Sequence, residues 1–326
     1  MLPWSERYRP TSLADVGGNN DIVTALLSFK SISSIPHLIL HGPPGSGKTS
    51  SVLAMARSFF GEGSFSTMVL ELNAGDARGV ETMRNQIQFF TRCSSVSDTT
   101  SSAIKMVILD EADSLSHRAQ CALRHLIETS SGRVRFCLCC NYVNKLSCGL
   151  RSRCTSFRFS GLSKVHLYRT IRSVARKEEM EISTSGLDAI VDVCSGDARQ
   201  AINLLQSLSL GGHDHDETTI DHAQRVYHSC GLASPSEIDT IFDALLRERF
   251  SVAVESLTFF VYEKQFSLSQ IITPLVERVI ECSDNSIRVD MVGGILKKLA
   301  GVERCLNRGG AEALAIGAVV GAFHLS

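Results

Sequence analysis

The eight residues Gly42-Pro43-Pro44-Gly45-Ser46-Gly47-Lys48-Thr49 constrain what this chain can fold into more than any other feature. They follow a short apolar run, His37 to Leu40, and open a helix-period segment, so they form a glycine-rich turn between a strand and a helix. Such a turn lets successive backbone N–H groups face one anion, and the helix N-terminus adds a favourable dipole. Lys48 then reaches the terminal phosphates of a bound nucleotide, and Thr49 offers its hydroxyl to magnesium. Ser50, next in the chain, completes the expected phosphate-binding set.

A second feature answers the first. Lys105-Met106-Val107-Ile108-Leu109-Asp110-Glu111 reads as an apolar strand ending in two carboxylates. Consecutive residues on extended backbone point to opposite sides. Asp110 can therefore serve the magnesium ion while Glu111 turns towards a water that attacks the terminal phosphate.

Between Pro36 and about Ser160 short apolar runs alternate with helix-period segments, the pattern of a parallel sheet with crossover helices. The expected strands are His37 to Leu40, Thr67 to Leu72, Lys105 to Leu109, Val134 to Cys140 and Thr155 to Phe159. After Gly161 helical patterns take over, at Lys164 to Met180, Ser183 to Cys194 and Ala198 to Leu208. Breaks at Gly211 to Thr219 and Gly231 to Ser236 lead into further amphipathic helices. With 326 residues, the chain is expected to hold an α/β nucleotide domain at 1–160, a small helical lid at 161–230 and an all-helical interaction domain at 231–326.

Composition removes several function classes. Lys and Arg number 33 against 34 Asp and Glu, so contact with nucleic acid has to come from a local basic stripe. Met1 to Pro10 lacks the apolar core of a secretion signal, and the apolar tail Ala313 to Leu325 falls short of the roughly 20 residues of a membrane span. Gly317 and Gly321 in that tail are read as close packing inside a helical bundle, and no membrane partner is expected. Of the 11 cysteines only Cys137 and Cys140 stand at CxxC spacing, so the set reads as reduced core thiols. His213 and His215 read as part of a solvated loop.

These motifs, with several more, make the chain resemble the AAA+ family, and more narrowly the small subunits of replication factor C. The further stretches are Tyr8-Arg9-Pro10 after Trp4, Glu71 to Gly79, Phe136 to Tyr142, Ser152-Arg153-Cys154 and Gly196-Asp197-Ala198-Arg199. The resemblance implies an AAA+ nucleotide domain followed by a lid and a collar, ATP and Mg2+ as cofactors, and ATP hydrolysis. It makes Asn141 the first sensor, positioning water, and Arg199 the second, reaching the nucleotide from a lid helix. Arg153 becomes an arginine finger serving a neighbouring subunit, and Tyr8, Arg9 and Val16 lie near the base. The implied partners are the other subunits of a hetero-pentamer, a sliding clamp and primer-template DNA, in the nucleus. Leu2-Pro3-Trp4 and Val226 to Gly231 are most similar to the third subunit of the ring. Gly75 and Ala77 depart from the family pattern, where Ser and an acidic residue are common.

Two helices are expected to carry the DNA contacts. After Arg78, one helix places Val80, Met83, Ile87 and Phe90 on a stripe and leaves Arg78, Asn85 and Arg92 outward, with Arg84 at the border. The next buries Leu115, Ala119, Leu123, Leu126 and Ile127 and leaves Arg124, His117, Cys121 and Glu128 outward. In the family such faces track duplex backbone, which makes Arg78, Arg84 and Arg124 the candidates. Two other readings stand beside the ATPase subunit: a ring subunit that binds ATP with little hydrolysis of its own, and a different AAA+ DNA-remodelling machine.

Overall fold

A computed structural model describes residues 2–75, 80–92, 104–210, 222–281 and 289–324. The chain divides into two compact units, Met1–Glu181 with Ile190–Gly212, and Ile182–Ala189 with His213–Ser326.

The first unit opens with a helical turn, α1 (Trp4–Arg7), and α2 (Asn20–Leu27), then alternates strand and helix: β1 (Leu38–His41), α3 (Lys48–Met68), β2 (Val69–Asn73), α4 (Val80–Arg92), β3 (Lys105–Asp110), α5 (His117–Ser130), β4 (Val134–Cys140), α6 (Cys148–Arg151) and β5 (Thr155–Arg158). The strands form one parallel sheet in the order β2-β3-β4-β1-β5. Both faces of the central strands β1, β3 and β4 are covered, which is why these three read as nearly continuous apolar runs. Leu38, Leu40, Met106, Ile108, Cys137 and Cys139 pack on the α2–α3 side, while Ile39, Val107, Leu109, Phe136 and Leu138 pack with α4 and α5. Four of the five expected strands differ from the observed ones by one or two residues at one or both ends, and Val134 to Cys140 matches. β2 begins at Val69, because α3 runs on through Thr67 and Met68 after a kink at Gly61, whose φ is +66°.

The same unit continues into α7 (Lys164–Lys177), started by the Ser163 hydroxyl accepting from the His166 N–H, and holds α9 (Ala198–Leu210). α8 (Thr184–Cys194) is divided between the units.

The second unit is helical throughout its described residues: α10 (His222–Ser229), α11 (Pro235–Arg247), α12 (Phe250–Thr258) with a π-helical turn (Phe259–Glu263), α13 (Leu268–Glu281), α14 (Val289–Leu306) and α15 (Glu312–His324). Its core gathers Ile241, Leu257, Ile271, Leu275, Leu299, Val319 and Phe323, among others. α15 is apolar nearly all round, so it is buried in a bundle; no helix among the described residues is long and apolar enough to cross a membrane. The close packing expected at Gly317 is absent, since a Cβ there would meet nothing within 4 Å. The break at Gly211 to Thr219, with His213 and His215, lies outside the described residues.

Candidate nucleotide site

β3, β4 and β1 are neighbours in a parallel sheet, so their carboxyl ends stand side by side. The chain puts a chemical group at each end: the phosphate loop after β1, Asp110 and Glu111 after β3, and Asn141 after β4. Ligands of open α/β sheets bind outside such strand ends. Here the groups line one cavity of about 670 Å3 together with Val16, Tyr8, Arg9 and Arg199.

The phosphate loop needs its glycines for defined reasons. A Cβ on Gly42 would stand 2.1 Å from the Phe159 carbonyl oxygen, and one on Gly45, whose φ is +63°, would stand 1.8 Å from Asp197 Oδ1. The loop is thus wedged between β5 and the start of α9 with no room for side chains. The buried Ser46 bonds the Pro43 carbonyl at 2.8 Å, and Val16 packs against Gly47.

Lys48 is 8% exposed, and its Nζ donates to the carbonyls of Gly42 (2.9 Å) and Pro43 (2.8 Å) and to Asn141 Oδ1 (3.1 Å). Burial lowers its pKa, Arg199 adds to that, and nearby Asp110 works against it. A cation held among neutral oxygens in a partly dry cavity is arranged to receive phosphate charge. The Thr49 hydroxyl donates to Asp110 Oδ2 at 2.8 Å, so the two expected magnesium ligands are already adjacent. A hydroxyl and a carboxylate are the hard oxygen donors that magnesium takes, and the pair fits that ion.

Glu111 adopts φ +53° and ψ +37°, a left-handed conformation that a non-glycine residue enters at a cost of roughly 1–3 kcal/mol. Its N–H donates to Asp110 Oδ1 at 2.9 Å, which helps hold the turn. The carboxylate reaches towards the end of β2, where a Cβ on Gly75 would stand 2.9 Å from Glu111 Oε2. The departure at Gly75 therefore leaves Glu111 extra space; Ala77 lies outside the described residues.

Arg199 sits in the first turn of α9, and Asp197 Oδ1 accepts from the N–H groups of Arg199 (2.9 Å) and Gln200 (3.1 Å), capping that turn. Arg153 is elsewhere. It follows α6, donates to the Gly149 carbonyl at 2.8 Å and pairs with Glu128 of α5 at 2.6 Å, outside the cavity.

Of the expected DNA contacts, Arg84 is exposed on α4, at the border of the face that buries Met83 and Ile87. Arg124 is exposed on α5 but its stem lies over α6, 3.0 Å from where a Cβ on Gly149 would be. Arg78 lies outside the described residues. Cys137, Cys139 and Cys140 are core thiols of β4; burial pushes Cys137 up to about 12, and Cys140 up to about 11, so their thiolates are disfavoured.

The cavity also has walls that the motifs do not mark. Arg169, Ser173 and Lys177 line it from one stripe of α7. Their i, i+4, i+8 spacing was visible, but a solvated helix face has the same spacing. Gln120, buried on α5, donates to the Lys145 carbonyl and accepts from the Ser147 N–H, tying α5 to the segment that leads to Arg153. No motif pointed to it.

Residues 38–162 match the model of the "ATPase family associated with various cellular activities (AAA)". A solved structure of the RuvB Holliday junction branch migration motor of Thermotoga maritima aligns with a TM-score of 0.53 over 82% of this chain and 91% of that one, at 16% identity, a likeness of fold. The chain is an ATPase of the AAA class. Residues 233–322 match the "Replication factor C C-terminal domain". Over all of its length the chain is 37% identical to replication factor C subunit 3 of Saccharomyces cerevisiae, covering 94% of that protein, and 37% identical to replication factor C subunit 5 of Homo sapiens, covering 92%. It belongs to the replication factor C family.

Proposed function

We propose that this chain is an ATP-hydrolysing subunit of a sliding-clamp loader, acting in the nucleus within a hetero-pentamer that places the clamp on primer-template DNA. The observation that carries the reading is a division of labour in space. Lys48, Thr49, Asp110, Glu111, Asn141 and Arg199 line one cavity, whereas Arg153 lies outside it at the surface.

The reaction is transfer of the terminal phosphoryl group of ATP to water, with the bond to the β–γ bridging oxygen breaking as ADP leaves. Glu111 accepts a hydrogen bond from the water and aims it, and Asn141 shares that positioning. Lys48 and Arg199 balance the negative charge spread over the phosphoryl oxygens. Thr49 and Asp110 would hold magnesium, which when bound neutralises charge on the phosphates. Tyr8, Arg9 and Val16 flank the base. Arg153 completes the site of an adjoining subunit, where a planar guanidinium spreads positive charge over the transferring group. The intervals 1–160, 161–230 and 231–326 act as ATPase domain, lid and collar, and the third ring position suits the subunit-3 relatives. Exposed Arg84 and Arg124, with Arg78, supply sequence-independent phosphate contacts.

The test is Glu111→Gln in the assembled complex. ATP binding is retained, and single-turnover cleavage at this site falls by roughly 10²–10⁴-fold, the usual contribution of a positioned acid–base group. Undiminished cleavage refutes the role given to Glu111.

A further inference from the structure

The base end of the cavity is bounded by two pieces of chain far apart in sequence. One is the N-terminal segment, from which Ser5, Arg7, Tyr8 and Arg9 reach the cavity; the other is the Arg169, Ser173, Lys177 stripe of α7. The N-terminal segment has its own attachment, since Trp4 is 8% exposed and its backbone N–H donates to Gln206 Oε1 of α9 at 3.0 Å.

Glu178 joins the two pieces. The Tyr8 hydroxyl donates to Glu178 Oε1, and Arg7 Nη1 reaches the same oxygen at 2.8 Å. The Tyr8 ring lies near two cations, 5.5 Å from the Arg7 guanidinium and 5.4 Å from Lys177 Nζ. The Glu178 side chain is only 17% exposed. Its hydrogen bond raises the Tyr8 pKa, so the phenol stays protonated and remains a donor.

The place of Glu178 in α7 makes this more than a surface pair. It is the C-cap, followed by Glu179 with φ +53°. Helix C-termini carry partial negative charge and favour Lys or Arg, so a carboxylate there works against the dipole. A residue that breaks a local rule signals a compensating contact, and here that contact is with Tyr8 and Arg7.

We infer that Glu178 is a positioning residue, a latch that ties the N-terminal segment to α7 and so sets how long a nucleotide stays in the cavity. The inference rests on reading the cavity as the ATP site. While the Tyr8–Glu178–Arg7 contact holds, the two walls stay together over the base; its loss lets them part.

The experiment measures release of a fluorescent ADP analogue from the full-length chain by stopped flow. A hydrogen bond to a charged group supports a change of about tenfold or more. Glu178→Ala is expected to raise the release rate by that factor, and Glu178→Gln, whose amide oxygen still accepts from Tyr8, to restore most of it. Tyr8→Phe raises release too, and adding it to Glu178→Ala has no further effect, because both remove one contact. Should the alanine variant fail to fold, Tyr8→Phe decides by the same criterion. A release rate within about twofold of wild type, or a lowered melting temperature with release unchanged, overturns the latch. A wild-type chain that binds no nucleotide overturns the ATP-site reading as well, and the two failures are thereby distinguished.

Discussion

Replacing Glu237 with Gln tests how the helical unit is held together. Glu237 is the third residue of α11 and is 7% exposed. It accepts from Lys264 Nζ (2.8 Å), the Ser234 N–H (2.9 Å), the Ser234 hydroxyl (2.9 Å) and His228 Nε2 (3.2 Å), closing a capping box. Burial opposes its ionisation, but the bonds from Lys264, Ser234 and His228 outweigh that and bring its pKa from 4.5 to about 2. Linkage makes that worth about 3 kcal/mol at full value. The side chains of His228 and Lys264 are 37% and 34% exposed, and water around them screens the pairing, so about 2 kcal/mol is expected. The folded pKa lies below the unfolded one; this stability is therefore complete above pH 4.5 and is lost as the pH falls from there towards 2. Hydrogen exchange at the amides of α11 and α13, followed against pH and urea, reads it directly. Trp4, the sole tryptophan, lies in the other unit, and its fluorescence serves as an internal control. Glu237→Gln should lower protection of α11 and flatten its acid dependence while leaving Trp4 unmoved. Unchanged protection with an unchanged acid profile would show that the ion cluster contributes nothing.

Gly45→Ala forces a Cβ at φ +63° against the carboxylate that caps α9. Backbone strain and a weakened cap together should cost unit 1 about 2–3 kcal/mol by Trp4 fluorescence in urea and weaken ATP binding; a loss below about 0.5 kcal/mol would mean that the loop yields freely. Neutralising Arg84 and Arg124 in the assembled complex should weaken primed-DNA binding and make the log–log salt slope shallower by about 1–2. Equal affinity and slope remove these helices from the DNA path.

Much of the candidate site was legible because its chemistry is local. The phosphate loop needs closely spaced glycines and a following Lys-Thr, and an acidic pair at a strand end needs only the strand, so both are written in short runs. Asn141, Arg199, Arg153 and Tyr8 carry no such local mark. Their assignment depended on resemblance, because an Asn in a turn or an Arg on a helix has ordinary alternatives. Glu178 and Gln120 were not singled out: each acts through a partner that no spacing rule connects to it. The strand limits slipped near Thr67 because a β-branched residue accepted the end of α3 once Gly61 had redirected that helix.

By itself the sequence determined the parallel α/β architecture, the nucleotide chemistry and the helical second half, since apolar period and backbone permissiveness are properties of neighbouring residues. Tertiary structure alone decided that the Thr49 hydroxyl bonds Asp110 directly, that the Arg153 fork is held by Glu128, and that the first helical turn is tied to the end of α7. Those pairings depend on strand order and helix docking, which bring together residues 61 to 171 positions apart for Thr49 with Asp110 and for Arg7 with Glu178. Contacts over such distances form only once the core has placed both partners.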